Sequence, residues 1–225
     1  MKSENTGAEQ NHSIKAVVFD MDGVLLDSER ISLAAWKMAG EEIGFYKTEE
    51  AHRECTGLSR SDAYEKLTEL YGPDFPSKAF RDRSSVIFAQ IIQKDGLPLM
   101  HYAKEILQYL KEKGYPLALA SSTRREVVMR EIKTAGLFDY FDYIICGDQV
   151  THSKPDPEIY TLSCKALNVH PEDALAVEDS INGIISAHRA GMKCLMVPDQ
   201  IQPDENTKSI LYKLCDSLEN IKDFL

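Results

Sequence analysis

The sequence predicts an α/β fold: a parallel sheet core of about five strands flanked by helices, with a small α-helical cap inserted after the first strand. Three observations carry the prediction. Five short runs of β-branched and aliphatic residues mark candidate strands, helical patterns fill the intervals between the later ones, and about 100 residues separate the first run from the second.

The runs are Lys15–Phe19, Leu117–Ala120, Tyr143–Cys146, Ala174–Glu178 and Lys193–Val197, each of a length suited to a buried strand. From Leu117 onward, helical patterns at Arg125–Ala135, Pro157–Leu167 and Asn182–Ala190 lie between them, with Gly136 and Gly191 as C-terminal stops. Strand alternating with helix builds a parallel sheet. The first interval is far longer than one crossover helix requires, so a second unit is expected within it. Its segments Ile31–Gly44, Ser61–Tyr71 and Ser77–Lys94 carry apolar residues at three- and four-residue spacing, punctuated by Gly57, Gly72 with Pro73, and Gly96 with Pro98. The expected division is a disordered leader over residues 1–13, a core domain formed by 14–28 and 97–225, and a helical cap over 29–96. Trp36, Leu33 and Ile43 share one helical pattern and are assigned to the cap's own core. Lys208–Leu225 reads as an amphipathic helix or two.

At 225 residues and 43% hydrophobic, the chain is long enough to bury one core with a small unit beside it. Its five cysteines, Cys55, Cys146, Cys164, Cys194 and Cys215, are scattered and form no CxxC pair, so they read as reduced thiols rather than a disulfide or zinc framework. The six histidines, His12, His52, His101, His152, His170 and His188, show no ligand spacing and are treated as surface or packing residues. Residues 1–13 lack the apolar run of a signal peptide, and no stretch approaches the roughly 18 apolar residues of a membrane span, so a soluble, cytoplasmic protein is expected. A formal charge of −10 disfavours nucleic acid, whose binding rests on phosphate contacts. It leaves room for a small anionic ligand held by a metal, a lysine or arginine, and helix N-termini. The oligomeric state is not legible, and a monomer is compatible with the sequence.

In an open parallel sheet, ligands sit beyond the carboxyl ends of the strands. After the first run stands Asp20-Met21-Asp22-Gly23; after the second, Ser121-Ser122-Thr123; after the fourth, Asp179-Ser180; and Lys154 lies in the loop Ser153-Lys154-Pro155-Asp156-Pro157. Each has an ordinary reading in isolation: Asp and Gly are common turn residues, Ser121 and Asp179 suit helix caps, and Lys154 suits a solvated surface. Together, however, three carboxylates at one sheet edge repel each other unless a cation bridges them, and hard oxygen ligands select Mg²⁺. Such a site would orient a phosphate while one carboxylate attacks phosphorus and a second handles protons, with Lys154 and Ser121 on the remaining oxygens.

With these residues in order, the sequence resembles the haloacid-dehalogenase superfamily of phosphotransferases, the branch with a helical cap after the first strand of a Rossmann-like core. The resemblance spans about Lys15 to Pro198 and rests on Asp20-Met21-Asp22-Gly23, Ser121, Lys154-Pro155-Asp156-Pro157 and Glu178-Asp179. It implies Asp20 as nucleophile, Asp22 as general acid/base, and Ser121, its neighbour Ser122 and Lys154 as phosphate ligands. It further implies Mg²⁺ on Asp20, the Asp22 backbone carbonyl and Asp179, with Glu178 behind them binding through water or orienting Lys154. The dehalogenases that name the superfamily lack an acid/base at the position of Asp22, so phosphorus rather than a carbon–halogen bond is the expected target.

Thr56-Gly57-Leu58-Ser59-Arg60 resembles the family's substrate-specificity loop, with Arg60 as its substrate residue and Arg83 as a second candidate cap cation. In related β-phosphoglucomutases an arginine at this place grips a distal phosphate, which makes a phosphosugar mutase the alternative reading. The mutases also carry a histidine where Ser32 stands here. The expectation is therefore a Mg²⁺-dependent phosphatase that hydrolyses a small phosphomonoester, a sugar phosphate, through a phosphoaspartate. A non-catalytic metabolite-binding module of the same fold is a third reading, opposed by the intact Asp20, Asp22, Lys154 and Asp179.

Overall fold

The structure, a computed structural model, describes residues 13–56, 58 and 60–225, and of residues 60 and 61 the backbone alone. Apart from Ser13, the expected leader lies outside the described residues. The strands are β1 (Ala16–Phe19), β2 (Leu117–Ser121), β3 (Tyr143–Cys146), β4 (Ala174–Glu178), β5 (Lys193–Met196) and β6 (Lys213–Leu214). They form one parallel sheet in the order β3-β2-β1-β4-β5-β6.

The strand sequences dictate how this sheet is covered. Side chains alternate across a strand, and here the alternation separates large residues from small ones. Val17, Phe19, Leu117, Leu119, Leu175 and Val177 share one face, where they pack on α5 (Ala103–Glu112) and α6 (Arg125–Thr134) through Ile106, Leu107, Leu110, Val128 and Ile132. Ala16, Val18, Ala118, Ala120, Ala174 and Ala176 share the other, where α7 (Glu158–Leu167) and α8 (Ile181–Arg189) settle against a nearly all-alanine surface. Both faces are buried, as a parallel sheet requires.

Between β1 and α5 the described chain forms four helices, α1 (Ser28–Ile43), α2 (Thr48–Cys55), α3 (Arg60–Tyr71) and α4 (Ser77–Asp95). They enclose their own apolar cluster, in which Trp36 and Phe80 meet edge to face at 5.1 Å and Phe45 packs on Tyr71, Phe75 and Phe80. The two connections to the sheet run side by side, joined by Asp27 N–H to Pro98 O (2.9 Å) and Met100 N–H to Leu25 O (2.9 Å).

Two expectations are corrected. Ile43, placed with Trp36 in the cap core, is 48% exposed, because α1 ends at Gly44 and its last turn clears the cluster. The C-terminal segment is not simply helical. After α9 (Glu205–Ser209) it adds β6 through Tyr212 N–H to Cys194 O (2.8 Å) and Cys215 N–H to Met196 O (2.9 Å), then closes in a 3₁₀ turn over Leu218–Phe224. A two-residue strand is too short to show a period of its own, which is why the sheet has six strands rather than about five. No described helix is long and apolar enough to cross a membrane.

Phe80 is 2% exposed and touches Trp36, Phe45 and Phe75, so truncating it leaves a cavity that the surrounding rings cannot fill. Phe80→Ala is expected to destabilise the protein by about 3–5 kcal/mol, read from urea denaturation.

Candidate active site

Strand order fixes where a site can form. From β1 the chain goes to β2 and β3 on one side, then returns to β4 on the other, so the connections leaving β1 and β4 diverge and open a crevice at their carboxyl ends. Asp20 follows β1 and Asp179 follows β4, and Asp20 N–H donates to Val177 O at 3.0 Å. Between them Gly23 turns the chain at φ 76°, and a Cβ there would fall 2.2 Å from Asp179 Oδ2. Glycine is required twice over, for the left-handed turn and for the carboxylate's space.

Lys154 is brought to the same crevice by the loop before α7. Its Nζ donates to Asp20 Oδ1 (2.5 Å), Glu178 Oε1 (2.6 Å) and Ala120 O (3.0 Å), which uses all three ammonium protons. Glu178, the last residue of β4, is wholly buried and also accepts from Tyr160 OH at 2.6 Å and Ser180 OH at 3.0 Å. Ser180 in turn caps α8 by accepting from Gly183 N–H at 3.1 Å. Glu178 thus anchors the lysine.

Four carboxyl groups, Asp20, Asp22, Glu178 and Asp179, surround this one ammonium. Burial, with Glu178 and Asp22 adding to it against the pull of Lys154, pushes Asp20 up to about 8. Asp179 is raised well above the carboxylate range by burial and by the charges of Glu178 and Asp20. Burial opposes the charge on Lys154, yet Asp20 and Glu178 hold its pKa above the ordinary lysine value. Burial also raises Asp22, which accepts hydrogen bonds from Ser28 and, at 3.4 Å, from Thr123 Oγ. The site therefore holds excess negative charge that either protons or a cation must offset. Carboxylate oxygens of Asp20, Glu178 and Asp179 all lie within 4.8 Å of one another, and the Gly23 turn leaves the Asp179 carboxylate its space. Such a hard-oxygen set fits a divalent cation.

These residues form the floor of a cavity of about 740 Å³ whose roof is the inner faces of α1 and α4. Asp20, Asp22, Lys154 and Asp179 all line it, together with Ser122 and Thr123. Ser121 is 1% exposed and its Oγ accepts from Thr123 N–H at 3.1 Å, so the residues that reach the wall here are its neighbours. Arg60 begins α3, and its side chain lies outside the described residues. Arg83 does not reach the cavity: it forms a two-pronged pair with Glu42 at 2.6 Å on each arm, on the outer face of the cap. Among the described side chains, the cap cation in the wall is Arg81, two residues earlier, with its guanidinium 4.7 Å from the Trp36 ring centre. Trp36 itself is both cap core and cavity wall.

Sequence reading also passed over Ser28, Glu29, Thr123, Glu131 and Tyr160. Ser28, Glu29 and Thr123 adjoin motif residues and were within reach of a local argument. Glu131 and Tyr160 arrive by helix packing, and no local signal marks them.

Comparison with known proteins agrees with this geometry. The family model of haloacid dehalogenase-like hydrolases matches residues 17–197. The chain belongs to that family. This hydrolase is 34% identical over 185 residues to the phosphorylated carbohydrates phosphatase of Thermotoga maritima, covering 80% of the chain and 83% of the relative. Among solved structures it resembles a HAD family hydrolase of Deinococcus radiodurans with bound phosphate and sodium, at TM-score 0.79 and 27% identity over 94% of each chain. It resembles CbbY of Rhodobacter sphaeroides in complex with phosphate at TM-score 0.73 and 27% identity, over 91% of this chain and 94% of that one. The hydrolase sits in the phosphatase branch of its family, and its six-stranded parallel core is the Rossmann-like sheet expected there.

Two expectations follow from the buried charges. A Cβ on Gly183 would fall 1.9 Å from the Glu178 carboxyl carbon, so Gly183→Ala must push that carboxylate off Lys154 and Tyr160. Leaving those groups unpaired is expected to cost about 3 kcal/mol or more in urea denaturation. Burial and the nearby Asp22 push Glu131 up to about 7, above the roughly 4.3 of an unfolded glutamate. The folded state then binds the extra proton between those values, so this contribution to stability is present below pH 4 and lost as pH rises through 7. In metal-free protein Glu131→Gln is expected to gain stability over the parent as pH rises from 5 to 7, by about 1–3 kcal/mol at pH 8.

Proposed function

We propose that the protein is a Mg²⁺-dependent phosphatase that hydrolyses a small phosphomonoester, of the sugar phosphate kind, through a phosphoaspartate on Asp20. The observation that carries the reading is the convergence of Asp20, Asp22, Lys154 and Asp179 on one cavity floor beneath a helical roof. The name of the Thermotoga maritima relative, a phosphatase of phosphorylated carbohydrates, supports the substrate class.

Asp20, Asp179 and the Asp22 carbonyl would hold the Mg²⁺, which when bound offsets the excess carboxylate charge and the charge of the phosphate. Lys154, fixed by Glu178 and Ala120 O, orients the Asp20 carboxylate through Oδ1 and stands beside the arriving phosphoryl group. Asp20 attacks phosphorus as the ester P–O bond breaks, and Asp22 passes its proton to the leaving alkoxide oxygen. Its raised pKa suits that donation. The ionised Asp22 then takes a proton from a water that attacks the phosphoaspartate, and orthophosphate leaves with Asp20 restored. Closure of the roof over a bound ester would shed bulk water and favour compact esters.

Ser32 stands where the mutases carry a histidine, which makes water the acceptor in this reading. Phosphate release from p-nitrophenyl phosphate and from sugar phosphates, with Mg²⁺ and with EDTA, tests it. Asp20→Asn is expected to lose about three orders of magnitude or more, and Asp22→Asn about 10²–10⁴. Activity retained in Asp20→Asn, or undiminished by EDTA, sinks the proposal.

A further inference from the structure

The chemistry on the floor leaves the roof unexplained. Its α1 face presents Ser28, Glu29, Ser32, Ala35 and Trp36, and its α4 face Arg81, Ser84, Ser85 and Phe88. Both sets recur at three- and four-residue spacing, so each is one continuous helix face turned to the cavity. On the α1 face, Glu29 and Ser32 are held from behind by a residue that does not line this cavity. His52 of α2 lies with Nε2 2.8 Å from Ser32 Oγ and 3.6 Å from Glu29 Oε2, and its ring meets Trp36 edge to face at 5.1 Å. His52 is 9% exposed, and burial, with Arg81 nearby, depresses it to about 4, so the ring is neutral at working pH.

We place the ring proton on Nε2, which two oxygens flank. Ser32 Oγ then accepts from His52, and its own O–H is released to donate toward the cavity. Glu29, one turn away, is pushed up to about 7 by burial and by the charges of Asp22 and Asp199. Its carboxyl accepts from alcohol hydroxyls when ionised and donates to them when protonated. The acids of the described wall favour hydroxyls over a second phosphate. Among the described residues lining the cavity, Asp20, Asp22, Glu29, Glu131 and Asp179 face two cations, Lys154 and Arg81, and Lys154 has spent its protons on Asp20, Glu178 and Ala120 O. A second anionic group near Glu29 would meet repulsion from those of these acids that are ionised, whereas neutral hydroxyls meet the Ser32 hydroxyl and the Glu29 carboxyl.

We infer that Glu29 and Ser32 are specificity residues for the leaving group, that they bind hydroxyls of an uncharged polyol or sugar bearing a single phosphate, and that His52 is the positioning residue that presents them. The inference rests on the phosphatase reading above and deepens it.

The test compares esters that differ in hydroxyls. Sorbitol 6-phosphate and glucose 6-phosphate are set against n-hexyl phosphate, a six-carbon ester without them, and kcat and KM are measured for the parent and for Glu29→Leu, Ser32→Ala, His52→Leu and His52→Gln. The parent is expected to favour the better hydroxylated ester about 100-fold or more in kcat/KM, because a site built for hydroxyls leaves its polar groups unpaired with an alkyl chain. That ratio is expected to fall about tenfold or more in Glu29→Leu and Ser32→Ala, mainly through KM. His52→Leu is expected to lower it as well, while His52→Gln, whose side-chain amide carries an N–H at similar reach, recovers most of it; a purely structural role would not separate these two. A parent ratio near one, or a ratio unmoved by Glu29→Leu and Ser32→Ala, overturns the inference while leaving the phosphatase reading intact. Equal ratios in the two His52 variants overturn the positioning role. No Mg²⁺-dependent release from any of the three esters overturns the phosphatase reading and the inference with it.

Discussion

Four carboxyl groups meet at the ends of β1 and β4, and one ammonium, Lys154, is shared between two of them. Removing such groups from water costs several kcal/mol each, and a well-packed apolar cluster in their place would serve stability as well or better. The fold tolerates them because two of them share one well-placed ammonium: Glu178 takes Lys154, Tyr160 and Ser180, and Lys154 takes two carboxylates and a carbonyl. Asp179 and Asp20 carry what remains unbalanced, and their raised pKa values express it. A cation bound there, as proposed, would displace protons and relieve repulsion together, and its site would be a consequence of how the core is built.

Much of that placement was legible because Asp20, Asp22, Ser122 and Asp179 follow strand ends, whereas Lys154 arrives on the loop before α7. Once the five apolar runs are aligned as parallel strands, Asp20, Asp22, Ser122 and Asp179 must emerge on one edge, and their separation along the chain no longer matters. The sheet's two faces were equally legible in principle, since Leu117-Ala118-Leu119-Ala120 and Ala174-Leu175-Ala176-Val177 alternate large with small. β6 was not, because two residues carry no period and its place is set by Cys194 and Met196 on β5.

The roof was harder to read because it depends on helical phase. Arg81 and Arg83 are two residues apart, which on a helix is about 200° of rotation. One faces the cavity and the other pairs with Glu42 on the outer surface. Choosing between them needs the packing of α4 on α1, which Trp36, Phe80 and Ile87 settle through contacts distant in sequence. His52 was set aside because its spacing fits no ligand pattern, yet it acts on Ser32 and Glu29 across 20 and 23 residues. Ser121 and Ser122 show the same limit at one-residue scale: the strand end turns the first inward and exposes the second.

In the proposed reading, chemistry and selection rest on different kinds of element. The floor residues are held by strand ends and a buried hydrogen-bond network, where a displaced atom, as at Gly183 beside Glu178, disturbs the whole charge balance. The roof residues project from two helix faces whose backbone bonds are complete without them, so exchanging a side chain there alters what the cavity accepts and leaves the sheet edge untouched. Arg81 lying over Trp36 and His52 behind Ser32 join that roof to the cap's own core, so the packing that folds the cap also sets the orientation of the groups that meet the leaving group. On that reading cap stability and substrate selection share these contacts, whereas the phosphoryl chemistry would depend on Lys154 and its carboxylates.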